Sequence, residues 1–244
     1  MQQLIKLSEI EVINYPSGFE RRFLFPDIKR NMDICVEVDH YPSFLLEMLA
    51  LLSTHIDRTR TNDFKSKLVI PYMPYGREDK TYGNIKSPLW FVRDMLLGYQ
   101  RIYTADPHSG KVLNVFKGIK DLRLFEIDIF EKQKSAIEIA NPKYLVAPDK
   151  GSEEKISWLA DKLNLGFIKC KKTRDAQTGK LSGFQVLRSI EPNSPCLIVD
   201  DICDGGGTFL GLADKLKEAG AGNLSLLVTH GIFSKGKELS LIHI

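Results

Sequence analysis

One short run of this sequence combines three carboxylates, three consecutive glycines and a hydroxyl directly after an apolar stretch. Glycines allow backbone N–H groups to curl around an anion, and a helix that begins there adds the partial positive charge of its N-terminus. Two neighbouring carboxylates at such a loop suit the hydroxyls of a ribose, or a Mg²⁺ ion held through water. The run therefore predicts a binding site for a phosphorylated ribose. Its residues are Asp200, Asp201, Asp204, Gly205, Gly206, Gly207 and, at the expected start of the helix, Thr208.

The arrangement of the glycines argues against two other kinds of nucleotide site. The sequence contains no GxxxxGK(S/T) phosphate loop and no GxGxxG after a strand-like stretch. Those patterns are typical of P-loop proteins and of dinucleotide-binding domains. A nucleotide held in either manner is therefore not expected.

A second cluster of charge lies in residues 71–80, where Arg77 and Lys80 stand among aromatic residues after an apolar stretch. The guanidinium of an arginine binds phosphate oxygens as a fork, and the ammonium of a lysine binds them as a point charge. The pair is therefore suited to a polyphosphate. Taken alone, the segment could equally be a solvated charged loop.

Three further polar clusters also follow apolar, strand-like stretches. His108 and Asp149 each lie within a few residues of such a stretch, and a run of cations follows a third. Ligands bind at the carboxyl ends of the strands in open α/β sheets, so each cluster is placed where a ligand could be. Each also has a structural alternative. His108 could be a structural histidine, Asp149 could cap a helix, and the cations could lie on an exposed charged hairpin. The cations are Lys171, Lys172 and Arg174.

Short apolar stretches alternate with helix-like segments along the chain. Between residues 152 and 163 the apolar positions follow one helix face, and Gly220 is placed to end a helix over residues 208–219. Strands separated by helices of about 10 to 15 residues indicate a parallel sheet with helices on both faces. The pattern occurs twice, so we expect α/β domains over residues 1–131 and 132–244.

Composition narrows the class of protein and its surroundings. The 34 basic and 31 acidic residues give a net charge of +3, too little for the concentrated basic face of a nucleic-acid-binding protein. No apolar run reaches the roughly 18 to 20 residues of a membrane span, and residues 1–6 lack the apolar core of a signal peptide. The four cysteines form no CxxC pair, which predicts reduced thiols. We therefore expect a cytoplasmic protein with no nucleic-acid or membrane partner.

Taken in chain order, the polar clusters resemble the motifs of the ribose-phosphate pyrophosphokinases, also called phosphoribosyl pyrophosphate synthetases. Residues 71–80 are similar to the family's PYxxYxRQD(R/K) stretch, with Glu78 where the family usually has Gln. The segments around His108 and Asp149 are similar to its DxH and SPDxG motifs, and residues 229–234 to ATHGxFS. The order of the motifs, more than any single match, carries the resemblance.

The resemblance implies an α/β fold of two phosphoribosyltransferase-like halves, each a mostly parallel sheet flanked by helices. The first half would be the ATP side and the second the sugar-phosphate side. It implies a Mg²⁺-dependent enzyme that moves the β,γ-diphosphoryl group of ATP to the anomeric hydroxyl of ribose 5-phosphate and releases AMP. It also implies a homo-oligomer.

The resemblance further implies roles for single residues. Those implied to bind ATP are Arg77, Glu78, Asp79, Lys80 and His108. Those implied to contact Mg²⁺ are His108 and Asp149. The implied catalytic cations, on a loop that closes over the transferring phosphates, are Lys171 or Lys172 together with Arg174.

One departure from the family bears on the acceptor. Gly205 stands where the family usually has a Thr or Ser whose hydroxyl serves a terminal 5-phosphate, and Gly206 follows it. Two small residues predict open space around that phosphate. A pocket open there would accept a 5-phosphate that is esterified further, as in ADP-ribose. We therefore expect the acceptor to be ribose 5-phosphate, as in nucleotide biosynthesis, or an ADP-ribose-like relative, as in NAD metabolism.

Two other classes of protein remain open at this point. A phosphoribosyltransferase that consumes phosphoribosyl pyrophosphate would explain residues 200–208, but it would leave Arg77 and His108 without a role. An inactive regulatory homologue of the synthetase is expected to lack the cations of the catalytic loop, and this sequence retains Lys171, Lys172 and Arg174.

Overall fold

The structure is a computed structural model that describes residues 2–16, 20–29, 32–59, 65–80, 86–174 and 181–236. The chain divides into two compact units, Met1–Asp128 and Ile129–Ile244. Each unit is built on a mostly parallel five-stranded sheet with helices packed against it, which confirms the predicted α/β class. None of the helices in the described ranges is long and apolar enough to cross a membrane.

The first unit holds one parallel sheet and a separate hairpin. Its elements are β1 (Gln2–Lys6), a 3-10 turn (Leu7–Glu9), β2 (Glu11–Asn14), β3 (Arg21–Leu24), β4 (Asp33–Glu37), α1 (Leu45–Thr59), β5 (Ser66–Val69), α2 (Leu89–Met95), β6 (Arg101–Ala105), α3 (Gly110–Val115) and β7 (Arg123–Ile127). The sheet order is β1-β4-β5-β6-β7, and every neighbouring pair is parallel. The carboxyl ends of its strands therefore share one edge, where residues 71–80 and 106–109 leave the sheet.

A single apolar cluster forms the core of this unit. Val36, Leu68 and Ile102 lie opposite one another on adjacent strands and are fully buried. Because side chains alternate along a strand, these residues share one face of the sheet, and the apolar sides of α1, α2 and α3 pack there. The buried hydroxyl of Tyr99 donates to the carbonyl of Leu49 at 3.0 Å, so its polar atom is satisfied.

The second unit has a five-stranded sheet with one antiparallel edge. Its elements are α4 (Phe130–Ala140), β8 (Tyr144–Ala147), α5 (Glu153–Leu163), β9 (Gly166–Arg174), β10 (Leu181–Val186), β11 (Ser194–Cys203), α6 (Gly207–Glu218) and β12 (Ala221–Gly231). The order is β10-β9-β8-β11-β12; β10 runs antiparallel to β9, and the other pairs are parallel. The sites at the ends of β8, β9 and β11 therefore lie on neighbouring strands.

Both faces of this second sheet are covered. Ile198 belongs to an apolar cluster with Leu212 of α6. Its neighbour Leu197 belongs to a different cluster with Ile137 of α4 and Leu159 of α5. Strands buried on both faces read as continuous apolar runs, and this explains the uninterrupted apolar stretch before the acid pair.

Strands β9 and β11 extend farther than their apolar runs predict. Strand β9 continues to Arg174 because its polar end pairs with β10, with Lys172 opposite Phe184. Strand β11 continues to Cys203 because it pairs with β12 over that length. Backbone pairing therefore sets both ends, whatever the polarity of the side chains. The predicted end of α6 is confirmed, since Gly220 follows the helix with a φ of +98°.

All four cysteines are buried thiols outside any disulfide. Burial raises the pKa of Cys170 to about 12 and that of Cys196 to about 11. Burial also raises the pKa of Cys35 and Cys203. Little of the reactive thiolate therefore forms at neutral pH.

Candidate active site

The predicted sugar-phosphate run spans the end of β11 and the start of α6. Asp200 and Asp201 lie on the strand itself, because the ladder with β12 continues past them: Asp200 is opposite Val228, and Cys203 is opposite Gly231. Both carboxylates are half-buried. They lie at the carboxyl end of the sheet, where open α/β sheets bind their ligands.

Glycines make the turn from β11 into α6. Gly206 is the N-cap residue with a φ of 76°, a left-handed conformation that glycine adopts without strain. The helix begins at Gly207, one residue before the expected start at Thr208, and no side chain caps it. Among the described residues, a Cβ at Gly207 would meet no atom within 4 Å apart from its chain neighbours and the backbone of its own helix. The first turn of α6 therefore borders open space in this part of the chain. The N–H groups at the start of a helix suit an anion, although that of Phe209 already donates to the carbonyl of Gly206 at 2.9 Å.

The two aspartates carry an excess of negative charge. The N–H of Asp201 donates to Oδ1 of Asp200 at 3.0 Å. Burial, then the charge of Asp201 and, to a lesser extent, that of Asp149, raise the pKa of Asp200 to about 7. A nearby cation would stabilise the ionised form of Asp200, because it offsets the repulsion between the two carboxylates.

Asp149 faces this cluster from the end of β8. Its Oδ1 accepts the N–H of Gly151 at 3.0 Å, which fixes the turn that leads into α5. Its Oδ2 accepts a hydrogen bond from Nζ of Lys172 at 2.8 Å. A side chain predicted to hold metal and a side chain predicted to be catalytic are thus in direct contact.

The predicted catalytic cations lie on β9, whereas the resemblance placed them on a loop. Lys172 reaches Asp149, while its neighbour Lys171 projects from the opposite face of the strand and is exposed. The geometry therefore distinguishes two lysines that the sequence left equivalent. The side chain of Arg174 lies outside the described residues, as does the polar stretch 175–180.

In the first unit, residues 71–80 follow β5 at the carboxyl edge of its sheet. The N–H of Tyr72 donates to the hydroxyl of Tyr41 at 2.7 Å, and the two rings meet edge to face. Sequence reasoning missed Tyr41, since a lone tyrosine 31 positions upstream carries no local signal of this contact. The predicted ATP-binding residues that are exposed on this loop are Arg77, Glu78 and Lys80.

Asp79 connects this loop to the other predicted ATP motif. The hydroxyl of Ser109 donates to Oδ2 of Asp79 at 2.6 Å and accepts the N–H of Lys111 at 3.3 Å, which caps α3. His108 is exposed beside this cap, and buried Asp106, with a φ of 42°, shapes the turn before it. Sequence reasoning assigned no role to Ser109, although serine is a preferred N-cap residue.

The segment after β12 folds back over the loop between β11 and α6. The N–H groups of Ile232 and Phe233 donate to the carbonyl of Cys203 at 2.8 and 3.2 Å. The stem of Lys235 then passes Gly205, with its Cε 3.4 Å from the position that a Cβ on Gly205 would take. The space beside Gly205 is therefore filled by this stem and is not open as expected.

The carboxylates of the second unit fit a Mg²⁺ ion. Among the described residues, no three His, Cys, Asp or Glu side chains are grouped to hold a metal on their own. Mg²⁺ commonly keeps several waters and binds through one or two carboxylates plus substrate phosphates. Asp149 and Asp200 offer such oxygens, and the ammonium of Lys172 already stands as a cation at Asp149. His108, the other predicted metal contact, belongs to the first unit.

Comparison with known proteins agrees with this geometry. Residues 117–239 match the family model of the phosphoribosyl transferase domain. The chain is 33% identical over 240 residues to ribose-phosphate pyrophosphokinase 4 of Saccharomyces cerevisiae. The alignment covers 94% of this chain and 71% of that protein. It is 29% identical over 235 residues to the ribose-phosphate pyrophosphokinase of Pyrococcus furiosus, covering 94% of this chain and 80% of that protein. The phosphoribosylpyrophosphate synthetase of Mycobacterium smegmatis shares the fold, with a TM-score of 0.77 at 24% identity over 91% of this chain and 72% of that one.

The glycine loop between β11 and α6 and the matched family model thus define a protein with a phosphoribosyl transferase domain. The identity and coverage of the relatives go further, and the chain belongs to the ribose-phosphate pyrophosphokinase family. It is therefore an enzyme, a transferase of the ribose-phosphate diphosphokinase type.

Proposed function

We propose that this enzyme transfers the β,γ-diphosphoryl group of ATP to the 1-hydroxyl of ribose 5-phosphate in a Mg²⁺-dependent reaction that releases AMP. The observation that carries the proposal is the contact of Lys172 with Asp149 beside Asp200, at the carboxyl edge of the second sheet. Diphosphoryl transfer builds negative charge on the transferring and leaving oxygens. A cation held at this edge is placed to stabilise that charge.

On the sugar side, the loop between β11 and α6 would hold the 5-phosphate. The left-handed Gly206 and the open space beside Gly207 support this assignment, because they expose the N–H groups of the first helical turn. Asp200 and Asp201 would accept hydrogen bonds from the ribose hydroxyls. This half of the reaction is assigned to residues 132–244.

On the ATP side, residues 71–80 would hold the polyphosphate through Arg77 and Lys80, with His108 from the next strand end. The hydrogen bond from Ser109 to Asp79 supports this grouping, because it joins the two loops that carry these side chains. Tyr41 would fix the start of the first loop through the N–H of Tyr72. This half of the reaction is assigned to residues 1–131.

The reaction would depend on alignment and charge. Mg²⁺, when bound, would neutralise oxygens of the diphosphoryl group. Lys172 would exchange Asp149 for a phosphate oxygen as the substrate arrives, and Arg174 would act with it. The 1-hydroxyl needs a fixed line of attack more than a strong base, so no residue is assigned as a general base.

A 5′-extended ribose phosphate such as ADP-ribose is the second candidate acceptor. The observation that favours it is that, among the described residues, no atom outside the helix's own backbone and the chain neighbours lies within 4 Å of a Cβ built on Gly207. The stem of Lys235 beside Gly205 limits the space there from the other side.

The test is to incubate the full chain with ATP and Mg²⁺ and one acceptor at a time. AMP would be measured by chromatography, and the acceptor's gain of two phosphoryl groups by mass spectrometry. AMP formed with ribose 5-phosphate, and lost on adding EDTA, is the expected result. AMP formed with ADP-ribose alone would identify the second acceptor. Failure to form AMP with either acceptor would overturn the proposal.

Two further assays address the rival classes. Pyrophosphate release from phosphoribosyl pyrophosphate and a nucleobase would identify a phosphoribosyltransferase. Binding of ATP and ribose 5-phosphate without turnover would identify a regulatory homologue. Either result would replace the proposed reaction.

A further inference from the structure

We infer that Lys235 binds the phosphate group of the acceptor. This inference rests on the proposed function, because it concerns the anion that the loop between β11 and α6 would hold. Lys235 lies after the last strand and outside the loop itself, and the fold brings it back to the loop.

A tight turn places Lys235. The two N–H groups after Gly231 donate to the carbonyl of Cys203, at the end of β11. Phe233 then has a φ of 49°, a left-handed conformation that is uncommon outside glycine. The N–H of Gly236 donates to the carbonyl of Phe233 at 2.8 Å and closes the turn. Lys235 therefore has a defined backbone position beside the loop.

The ring of Phe233 anchors this turn. It packs against the apolar cluster that lies between the second sheet and α6. A Cβ on Gly231 would lie 2.2 Å from that ring, so the ring can occupy its place only because residue 231 is a glycine. Core packing, and not an exposed polar contact, therefore holds the turn.

The side chain of Lys235 runs along the loop. Its Cγ, Cδ and Cε lie 3.8, 3.5 and 3.4 Å from the position of a Cβ on Gly205. Three successive methylene carbons at contact distance mean that the stem lies on the loop, with the ammonium at its far end. The residue as a whole is exposed. A Cβ at position 205 would be in ordinary van der Waals contact with this stem.

An anion in the loop would thus meet positive charge from two sources. The first turn of α6, from Gly207, supplies N–H groups and the partial charge of the helix. Lys235 supplies a full charge on a flexible stem, which suits a phosphate approached from solvent. A phosphate monoester carries nearly two negative charges at neutral pH, whereas a phosphate within a diester carries one. Lys235 therefore favours an acceptor with a terminal 5-phosphate.

Three variants test the inference. Lys235→Met keeps the stem and removes the charge, and Lys235→Arg keeps the charge. Lys217→Met removes the same charge from the exposed last turn of α6 and is the control. For Lys235→Met we expect the KM for ribose 5-phosphate to rise about tenfold, as for a lost charged contact, with kcat and the KM for ATP nearly unchanged. We expect both other variants to stay close to the wild type.

Calorimetric titration with ribose 5-phosphate in the absence of ATP gives a readout that does not depend on turnover. We expect the same loss of affinity in Lys235→Met, and a smaller loss at high salt, where the charge is screened. Unchanged affinity in this variant, or an equal loss in Lys217→Met, would overturn the inference. A wild type that binds ribose 5-phosphate but releases no AMP would instead overturn the proposed function and leave Lys235 testable. Unchanged melting temperatures would show that the variants are folded.

Discussion

Replacing Lys172 tests the central contact of the proposed mechanism, and the adjacent lysine offers a matched control. Lys172→Met removes an ammonium that lies 2.8 Å from Asp149 and keeps a stem of similar length. Lys171→Met removes the same charge one position away, from the exposed opposite face of β9. The two variants have the same net charge, so any difference between them reflects position.

The expected magnitudes separate catalysis from stability. The side chains of Lys172 and Asp149 are 20% and 34% exposed, and a partly exposed ion pair contributes at most about 1 kcal/mol to folding. A preorganised donor at developing charge in the transition state contributes about 2.7 to 4 kcal/mol, which corresponds to about 100- to 1,000-fold in kcat. We therefore expect Lys172→Met to lose that factor in kcat with a shift of only a few degrees in melting temperature. Lys171→Met should retain most of its activity.

The assay is AMP release at saturating ATP, ribose 5-phosphate and Mg²⁺, with melting curves of both variants in the same buffer. Equal losses in the two variants would refute the reasoning, because it selects Lys172 only by its face of the strand and its contact with Asp149. A loss in Lys171→Met alone would refute it as well. A loss caused by unfolding would be visible in the melting curve.

Three further predictions follow from the described contacts. In EDTA, Asp200→Asn should be more stable than the wild type by up to about 4 kcal/mol at about pH 8, and the difference should be small at about pH 4. Between about pH 4 and about pH 7 the folded wild type keeps a proton on Asp200 that the unfolded chain has released, so the free energy of unfolding of the wild type falls as the pH rises towards 7. A difference in unfolding free energy between variant and wild type that urea unfolding found to be the same at every pH would contradict this. Ser109→Ala should cost about 1 kcal/mol of folding free energy and raise the KM for ATP, because α3 loses its cap and Asp79 its partner. Ser109→Thr, which keeps the hydroxyl, should restore both, and a Thr variant as impaired as the Ala variant would argue against the hydrogen bond. A disulfide reagent should modify none of the four buried thiols in the native protein and all four in urea; rapid reaction without urea would show that the core opens.

The turn from β11 into α6 could be predicted from sequence because its causes are local. A buried strand, an acid pair, a glycine that tolerates a positive φ and a helix start follow one another within a dozen residues. The C-terminal ends of β9 and β11 could not be predicted in the same way. The polar residues there adopt strand conformation because a neighbouring strand supplies their backbone hydrogen bonds, as β10 does where Phe184 lies opposite Lys172. The apolar run shows only the buried part of a strand.

The contacts between the loops of the first unit could not be predicted from sequence for a related reason. Ser109 and Asp79 are 30 positions apart, and Tyr41 and Tyr72 are 31 positions apart. Each pair meets only because parallel strands bring their carboxyl ends to one edge of the sheet. The alternating pattern predicts that such an edge exists, but it does not indicate which side chains from different loops will touch there.

The distribution of charge along β11 and the loop after it would determine the orientation in which a ribose phosphate binds. Burial, together with the negative charge of Asp201, raises the pKa of Asp200 to about 7, and a phosphate placed beside these two carboxyl groups would meet repulsion. A few residues later, the first turn of α6 at Gly207 presents N–H groups and the positive end of the helix. A ribose phosphate would therefore settle with its phosphate at Gly207 and its hydroxyls at Asp200. Asp149, which interacts electrostatically with Asp200 and contacts Lys172, lies beside the hydroxyl end of a ligand held this way, so the same charges that select the ligand would also orient it.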